Sequence, residues 1–482
     1  MNKYSSLQKR LLLALLCLPI ASAQLCFSNE DNSLIPRAVI FEPCQRTDPS
    51  ISPDGKLIAY LAPTKTTGNE GQIDSSGAAN IWLRHVDTGK ERAITDAEKN
   101  IEEFFFQNDS KHIVYRLQAT GLNKGPLFQI DIHTGLTRNL TPWEGASVED
   151  YHYDYRCPDE VLVALKFPKA EHSDVYRLNL ANGAIVLEEK HEPYVLESFL
   201  YGWIPDKRLV VRAKLVLNNK GSKELWTRKT RKAPWRLIRR FEQGDHAWAS
   251  GFSSDGKVLI VYTTLDSDIE RLAAINVDTG ATKVLGRDDK CDVYSTFLDG
   301  DYFPMGVEFE SDRKFWKPSN DTFKKVLAAA HKLSDGDVDV LDADSDSNKY
   351  VVSITRDDGP ESYYLIDVAA KKSAFLFDDR PDLKHYKFAK RKPISFVTRD
   401  GLTEHGYLTL PVGINPQQLP LVLLVHGGPV ARDHWEFDYL AQWLANRGYA
   451  VLQVNFRGSC GYGSVGRGFS EGISCQSNTC LF

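Results

Sequence analysis

The 482-residue chain is predicted to fold as a β-propeller of about seven blades, followed by a shorter segment in which buried parallel strands flank a helix. Two observations predict this. First, a turn rich in Asp, Pro, Gly, Ser or Asn, followed by an apolar strand, recurs from Cys44 to about Lys390. Its copies are Ser52-Pro53-Asp54-Gly55-Lys56, Asn108-Asp109-Ser110-Lys111, Cys157-Pro158-Asp159, Pro205-Asp206-Lys207, Ser254-Asp255-Gly256-Lys257 and Asp346-Ser347-Asn348, with a weaker one at Asp299-Gly300-Asp301. They lie roughly 45–55 residues apart, the length of a four-stranded blade. Second, a continuous apolar run at 421–425 and a further buried-strand pattern at 449–454, near the C-terminus, bracket a helical pattern. Runs without polar alternation are expected of parallel strands covered on both faces.

The blade reading is reinforced by a second turn that keeps the same period: Asp87-Thr88-Gly89, His133-Thr134-Gly135, Ala181-Asn182-Gly183 and Asp278-Thr279-Gly280. Each stands between two apolar strands. Two turns per repeat are what a blade of consecutive hairpins requires, whereas an irregular β-sandwich would not hold the period. In the weak sixth repeat, residues 321–332 read as a helix. The basic stretch 228–240 is interrupted by Pro234, Trp235, Leu237 and Ile238, and reads as a solvated strand face. Residues 342–353 carry carboxylates at calcium-loop spacing, but Ser347 stands where Gly is needed and Ser353 where a bidentate Glu is needed, so they read as a blade turn.

Composition narrows the function. With 59 basic and 64 acidic residues the net charge is −5 and no basic stripe dominates, which excludes nucleic acid as a partner. Lys3, Lys9 and Arg10 precede the apolar run 11–18, and Ala21-Ser22-Ala23 supplies a small-x-small cleavage pattern. Residues 1–23 therefore read as a signal peptide, the mature chain as secreted or periplasmic and not membrane-bound after cleavage. Seven of the eight cysteines lie beyond it, with Cys26–Cys44 and Cys475–Cys480 as local disulfide candidates. No CxxC pair or HExxH sequence occurs, so no metal or other cofactor is expected.

The C-terminal segment carries the chemistry. The run Leu421-Val422-Leu423-Leu424-Val425 stops at His426-Gly427-Gly428-Pro429, where adjacent glycines let backbone N–H groups face a developing negative charge. Asp433 is read as the N-cap of a helix whose apolar face is Phe437, Leu440, Ala441 and Leu444, with Gly448 at its stop. The next strand opens into Asn455-Phe456-Arg457-Gly458-Ser459. Upstream, Asp400-Gly401 separates two alternating segments, a hairpin signature. His426-Gly427-Gly428-Pro429 and Asn455-Phe456-Arg457-Gly458-Ser459, with the hairpin at 393–411, resemble the start of the α/β-hydrolase domain in prolyl oligopeptidase-family serine peptidases, most like the acylaminoacyl-peptidase branch. The resemblance implies a seven-bladed propeller (24–390) that restricts access to short peptides. It also implies the N-terminal part of an α/β-hydrolase domain (391–482), with the Gly428 N–H as an oxyanion donor and His426 shaping the turn.

The rest of the expected machinery is not legible. Acyl transfer in this fold needs Ser, Asp or Glu, and His in that chain order. One string matches the nucleophile elbow, Gly468-Phe469-Ser470-Glu471-Gly472, yet no apolar strand precedes it and no Asp or His follows it. The chain therefore reads as a peptidase of this family cut short, lacking its triad and inactive alone. It is also expected to be poorly packed after the propeller and cleavable near Arg391. Two alternatives stand beside that reading: a non-catalytic periplasmic propeller that binds a protein or peptide partner, and complementation by a separate polypeptide that carries the triad.

Overall fold

Turn chemistry repeats along the chain, and in the computed structural model it builds seven antiparallel sheets. The structure describes residues 34–64, 66–67, 72–73, 77–119, 124–195, 198–199, 202–428 and 430–463. The predicted signal peptide, Pro429, Ser470 and the elbow-like string around it, and Cys26, Cys475 and Cys480 all lie outside these residues. Cys44 is a free thiol, and its Sγ donates to Asp379 Oδ2 at 3.4 Å.

A short helix, α1 (Arg37–Phe41), precedes the sheets. The sheets span residues 47–93, 101–139, 147–189, 203–241, 247–286, 293–318 and 337–378; six have four strands and the sixth has three. In the first sheet, Ser52 Oγ bonds Asp54 Oδ1 at 2.7 Å and accepts from Leu57 N at 3.0 Å. The fifth sheet repeats this at Ser253, Asp255 and Val258, with Oγ–Oδ1 at 2.8 Å and Val258 N to Oγ at 3.1 Å. The second family of turns is held by the residue that ends each third strand. Asp131, Asn179 and Asn276 each accept two backbone N–H bonds through Oδ1, the Asx-turn geometry. Residues 344–349 make an ordinary strand-joining turn as well, Asp344 Oδ1 accepting from Asn348 N and Lys349 N at 2.8 and 2.9 Å.

Each sheet packs one face on the sheet before it and the other on the sheet after. Ala59, Ile81 and Leu83 of the first meet Ile113 and Ile130 of the second; further apolar clusters join each pair in turn. The circuit closes where Ile58 and Tyr60 of the first sheet pack on Tyr363, Leu365 and Phe377 of the seventh. Seven sheets in a ring bury both faces of every sheet, as propeller blades do. Arginines on fourth strands reinforce the joints. Arg92 donates to Ile132 O, Arg138 to Leu180 O and Ala181 O, and Arg236 to Val277 O and Asp278 O, each reaching the carbonyls of the next sheet's turn. Within the basic stretch 228–240, which is mostly exposed, Arg236 and Arg239 serve as such ties.

The sixth sheet lacks a fourth strand. Helix α2 (Asp321–Ala330) follows its third strand, capped by Asn320 Oδ1 accepting from Phe323 N at 2.8 Å. Its buried residues Phe323, Val326, Leu327 and Ala330 fill the space between the sixth and seventh sheets. The mixed C-terminal sheet follows, with β1 (Arg391–Val397), β2 (Thr403–Thr409), β3 (Leu421–Leu424) and β4 (Ala450–Asn455) in the order β1-β2-β4-β3. β1 and β2 form the predicted hairpin, and β3 pairs with β4 in parallel across helix α3 (Tyr439–Asn446). Helix α1 lies in sequence with the predicted propeller, yet Ile35, Ile40 and Phe41 pack with Phe388, Phe437 and Trp443 near α3.

Four expectations are corrected. The N-cap of α3 is Asp438, whose side chain accepts from Ala441 N at 2.8 Å, because the Asp433 backbone is bound by Asn455 instead of opening a helix. Its buried residues are Ala441, Gln442 and Ala445, while Leu440 is exposed. Strand β3 is an edge strand with one uncovered face: Leu421, Leu423 and Val425 are 58%, 57% and 56% exposed. Arg391 is not an open linker. It is buried, its N–H donates to Asp357 Oδ2 at 2.6 Å and its carbonyl accepts from Trp435 Nε1 at 2.9 Å.

Gly306 tests the packing of the sixth sheet, since a Cβ there would stand 2.3 Å from Phe323 Cε1. Gly306→Ala is expected to cost about 1–3 kcal/mol by overpacking. Thermal unfolding should show a lowered Tm that Phe323→Leu partly restores in the double variant; an unchanged Tm for Gly306→Ala would refute this packing.

Candidate functional site

The parallel pairing of β3 with β4 sets Leu421 beside Ala450 and Leu424 beside Gln453, so the loops leaving both strands emerge at the same end. Carboxyl ends of parallel strands are where α/β sheets place their sites. From β3 the chain runs through His426, Gly427 and Gly428; from β4 it runs through Phe456, Arg457, Gly458 and Ser459. Gly428 has φ +134°, a conformation that favours glycine, and a Cβ there would stand 2.8 Å from Val430 N. Both Gly427 and Gly428 are exposed, and among the described residues no acceptor takes their N–H groups.

The two loops are locked together. His426 Nε2 and Ser459 Oγ are 2.9 Å apart, and the imidazole stacks on Phe456 with centroids 4.5 Å apart and planes 14° apart. Cys460 N donates to Ala431 O at 3.1 Å. Asn455, at the end of β4, accepts from Asp433 N at 2.7 Å and donates Nδ2 to Asp433 O at 3.1 Å, mimicking a strand pairing. Arg457 pairs with Asp400 in the hairpin turn; bonds from Thr398 and Arg457 hold the Asp400 carboxyl down to about 2.

Beneath the loops, the turn of the sixth sheet between Pro304–Glu310 and Lys314–Pro318 inserts against the C-terminal sheet. Arg432 donates to Glu310 O at 3.1 Å, Ser311 O at 2.6 Å and Tyr462 Oη at 2.8 Å. Glu310, only 3% exposed, takes both of its carboxylate oxygens to His434 Nδ1 at 2.9 and 2.8 Å. Burial alone would raise its pKa. The His434 bond and the Arg432 charge outweigh burial and hold the carboxyl below its ordinary value. Asp312 meets His405 Nδ1 at 3.0 Å and accepts from Tyr407 Oη through its carbonyl at 2.9 Å, while Arg313 lies over the Trp435 ring at 3.7 Å. This cushion ties Arg432 and His434 to the sixth sheet.

The predicted residues are thus together: His426, Gly427 and Gly428 form an exposed donor turn. The contact of Ser459 with His426 is a clamp and not a nucleophile–base pair, because Ser459 is 1% exposed and no substrate reaches it. Among the described residues no cluster of three or more His, Cys, Asp or Glu is placed to hold a metal ion. The sequence reading singled out 307–310 only as part of an insertion resembling one in the acylaminoacyl branch, and it missed Arg432, His434 and their contact with Glu310. Only Arg432 left a signal, as a charged residue close behind a glycine turn; that Glu310 faces it is a matter of tertiary structure.

No family model matches the chain. A dipeptidyl aminopeptidase BIII from Pseudoxanthomonas mexicana is 30% identical over 444 residues, covering 89% of this chain and 62% of the relative. Dipeptidyl peptidase family member 6 from Caenorhabditis elegans is 24% identical over 492 residues, covering 93% of this chain and 64% of the relative. The chain thus spans less than two thirds of the length of these relatives. Among solved structures, a puromycin-hydrolyzing peptidase from Mycobacterium tuberculosis is similar in fold with a TM-score of 0.65 at 15% identity, over 90% of this chain and 70% of that one. For the acylaminoacyl peptidase of Pyrococcus horikoshii the TM-score is 0.59 at 15% identity, over 89% of this chain and 68% of that one.

The Glu310 cluster sets a pH dependence. A carboxyl with a lowered folded pKa contributes stability in full above its unfolded value, here 4.5, and loses it as pH falls through the folded value. Glu310→Gln leaves Arg432 without its buried counter-charge, an expected loss of about 3 kcal/mol above pH 5. The Tm gap between wild type and Glu310→Gln should narrow on acidification below the unfolded value; a gap that stays constant would contradict this ion-pair assignment.

Proposed function

The chain belongs to the prolyl oligopeptidase family of peptidases, and on that premise we propose that it supplies the substrate-gating propeller and the oxyanion turn of a serine peptidase acting on short peptides. In this reading residues 24–390 are a seven-bladed propeller and residues 391–482 the beginning of an α/β-hydrolase domain, in a protein exported to the periplasm or the exterior. The observation that carries it is the exposed Gly427-Gly428 turn at the end of a parallel strand, clamped by His426 to Ser459.

The chemistry follows from what such a turn offers. A serine hydroxyl attacks the scissile carbonyl carbon as a base takes its proton, and the C=O electron pair moves onto oxygen. The Gly428 N–H donates to that oxyanion; one such donor is worth about 10²–10³ in kcat. Collapse expels the amine with the returned proton, and water then releases the acyl group by the same route. The one elbow-like serine, Ser470, is followed by no Asp or His, so we assign the nucleophile, carboxylate and histidine to the portion of the relatives that this chain does not span.

The 482-residue polypeptide by itself is expected neither to hydrolyse dipeptidyl or acylaminoacyl substrates nor to react with a fluorophosphonate probe. Stoichiometric labelling of Ser470 would overturn its inactivity. Sequencing the gene beyond the codon for Asn455 and translating all three forward frames is expected to reveal a Gly-x-Ser-x-Gly elbow with a later Asp and His. If no frame encodes one, the peptidase reading fails.

A further inference from the structure

The bond between His426 and Ser459 reaches past the clamp to the donor itself. His426 Nδ1 lies 2.7 Å from the carbonyl oxygen of the next residue, Gly427. A carbonyl only accepts, so Nδ1 carries the proton. In the neutral ring Nε2 then offers its lone pair, and at 2.9 Å the partner that donates is the Ser459 hydroxyl. Ser459 is 1% exposed and held by its own N–H to Phe456 O at 2.9 Å, so solvent does not compete for its hydroxyl. Stacking on Phe456 fixes the ring plane.

The Gly427–Gly428 peptide is trans, as is every peptide bond among the described residues. In a planar trans unit the C=O and N–H point in opposite directions, so whatever fixes the Gly427 carbonyl fixes the Gly428 N–H. Among the described residues no backbone N–H donates to that carbonyl. Both flanking residues are glycines, which lack the Cβ that restricts backbone dihedrals, and a Cβ on Gly427 would meet nothing within 4 Å. The imidazole decides between the two orientations by holding the carbonyl.

We infer that Ser459 is a positioning residue: its hydroxyl holds His426 as the Nδ1–H tautomer, which pins the Gly427 carbonyl and thereby aims the Gly428 N–H away from the ring. Its catalytic meaning rests on the proposed role of Gly428 as oxyanion donor. The geometry itself does not, and it can be tested without any activity, so failure of one is distinguishable from failure of the other.

The chain contains a single Gly-Gly pair among its 33 glycines. Glycine labelled with 13C at the carbonyl and 15N at the amide therefore gives one carbonyl-to-amide correlation, that of Gly427–Gly428, in the deuterated full-length chain. In partially aligned protein its N–H dipolar coupling reports the direction of that bond. Long-range 1H–15N correlations of labelled histidine, with His426 identified by its loss in His426→Gln, report the tautomer. Wild type is expected to show the Nδ1–H pattern for His426 and a dipolar coupling that fits a Gly428 N–H bond aimed away from the imidazole. Ser459→Ala is expected to mix the tautomers and at least halve that coupling. An Nε2–H pattern in wild type, which needs no variant to observe, or a coupling unmoved by Ser459→Ala in a folded chain, would overturn the assignment.

Discussion

Each sheet in the ring has two apolar faces, and water can be kept from both only if every sheet is sandwiched between two others. For a linear stack the first and last would each leave one face wet; here Ile58 and Tyr60 of the first sheet close on Tyr363 and Phe377 of the seventh. That closure is the constraint on which the remainder rests, because it turns marginal four-stranded sheets into a common core. The arginine ties add direction to it. Guanidinium groups on the fourth strands of the first, second and fourth sheets satisfy carbonyls at the neighbouring turn, so those joints carry hydrogen bonds as well as buried area.

The sixth sheet departs from the pattern, and the departure is useful. With helix α2 covering the gap left by its missing strand, its Glu310-to-Lys314 turn stands against the C-terminal sheet. Arg432 and His434 close on that turn, burying a carboxylate held ionised because the His434 hydrogen bond and the Arg432 charge offset its desolvation. Support for the donor turn therefore comes from a blade 122 residues earlier in the chain. The clamp above it is local, His426 to Ser459 across two adjacent loops, and the cushion below it is long-range.

Much of this was legible from residue order. The blade period, the hairpin at Asp400-Gly401, helix α2 and the strand–turn–helix–strand order around His426 all depend on local turn chemistry and apolar spacing, which act within a few residues. Misreadings arose where tertiary bonds displaced local preference. Asp433 has the chemistry of an N-cap, but Asn455 binds its backbone N–H and carbonyl, and Asp438 caps the helix instead. The β3 run reads as buried on both sides, yet its outer face at Leu421, Leu423 and Val425 is uncovered, since apolarity states what a strand prefers and not what lies against it.

The sequence alone determined the repeat, the strand-to-glycine turn and the residue types that make a backbone N–H available, because these follow from φ/ψ freedom and short-range hydrogen bonding. Tertiary structure decided where that N–H points. The direction depends on an imidazole whose protonated nitrogen is selected by a serine 33 residues away and on a loop seated against Glu310. Such contacts form only after the sheets have closed, when burial strengthens each polar bond by removing the water that would otherwise compete for it.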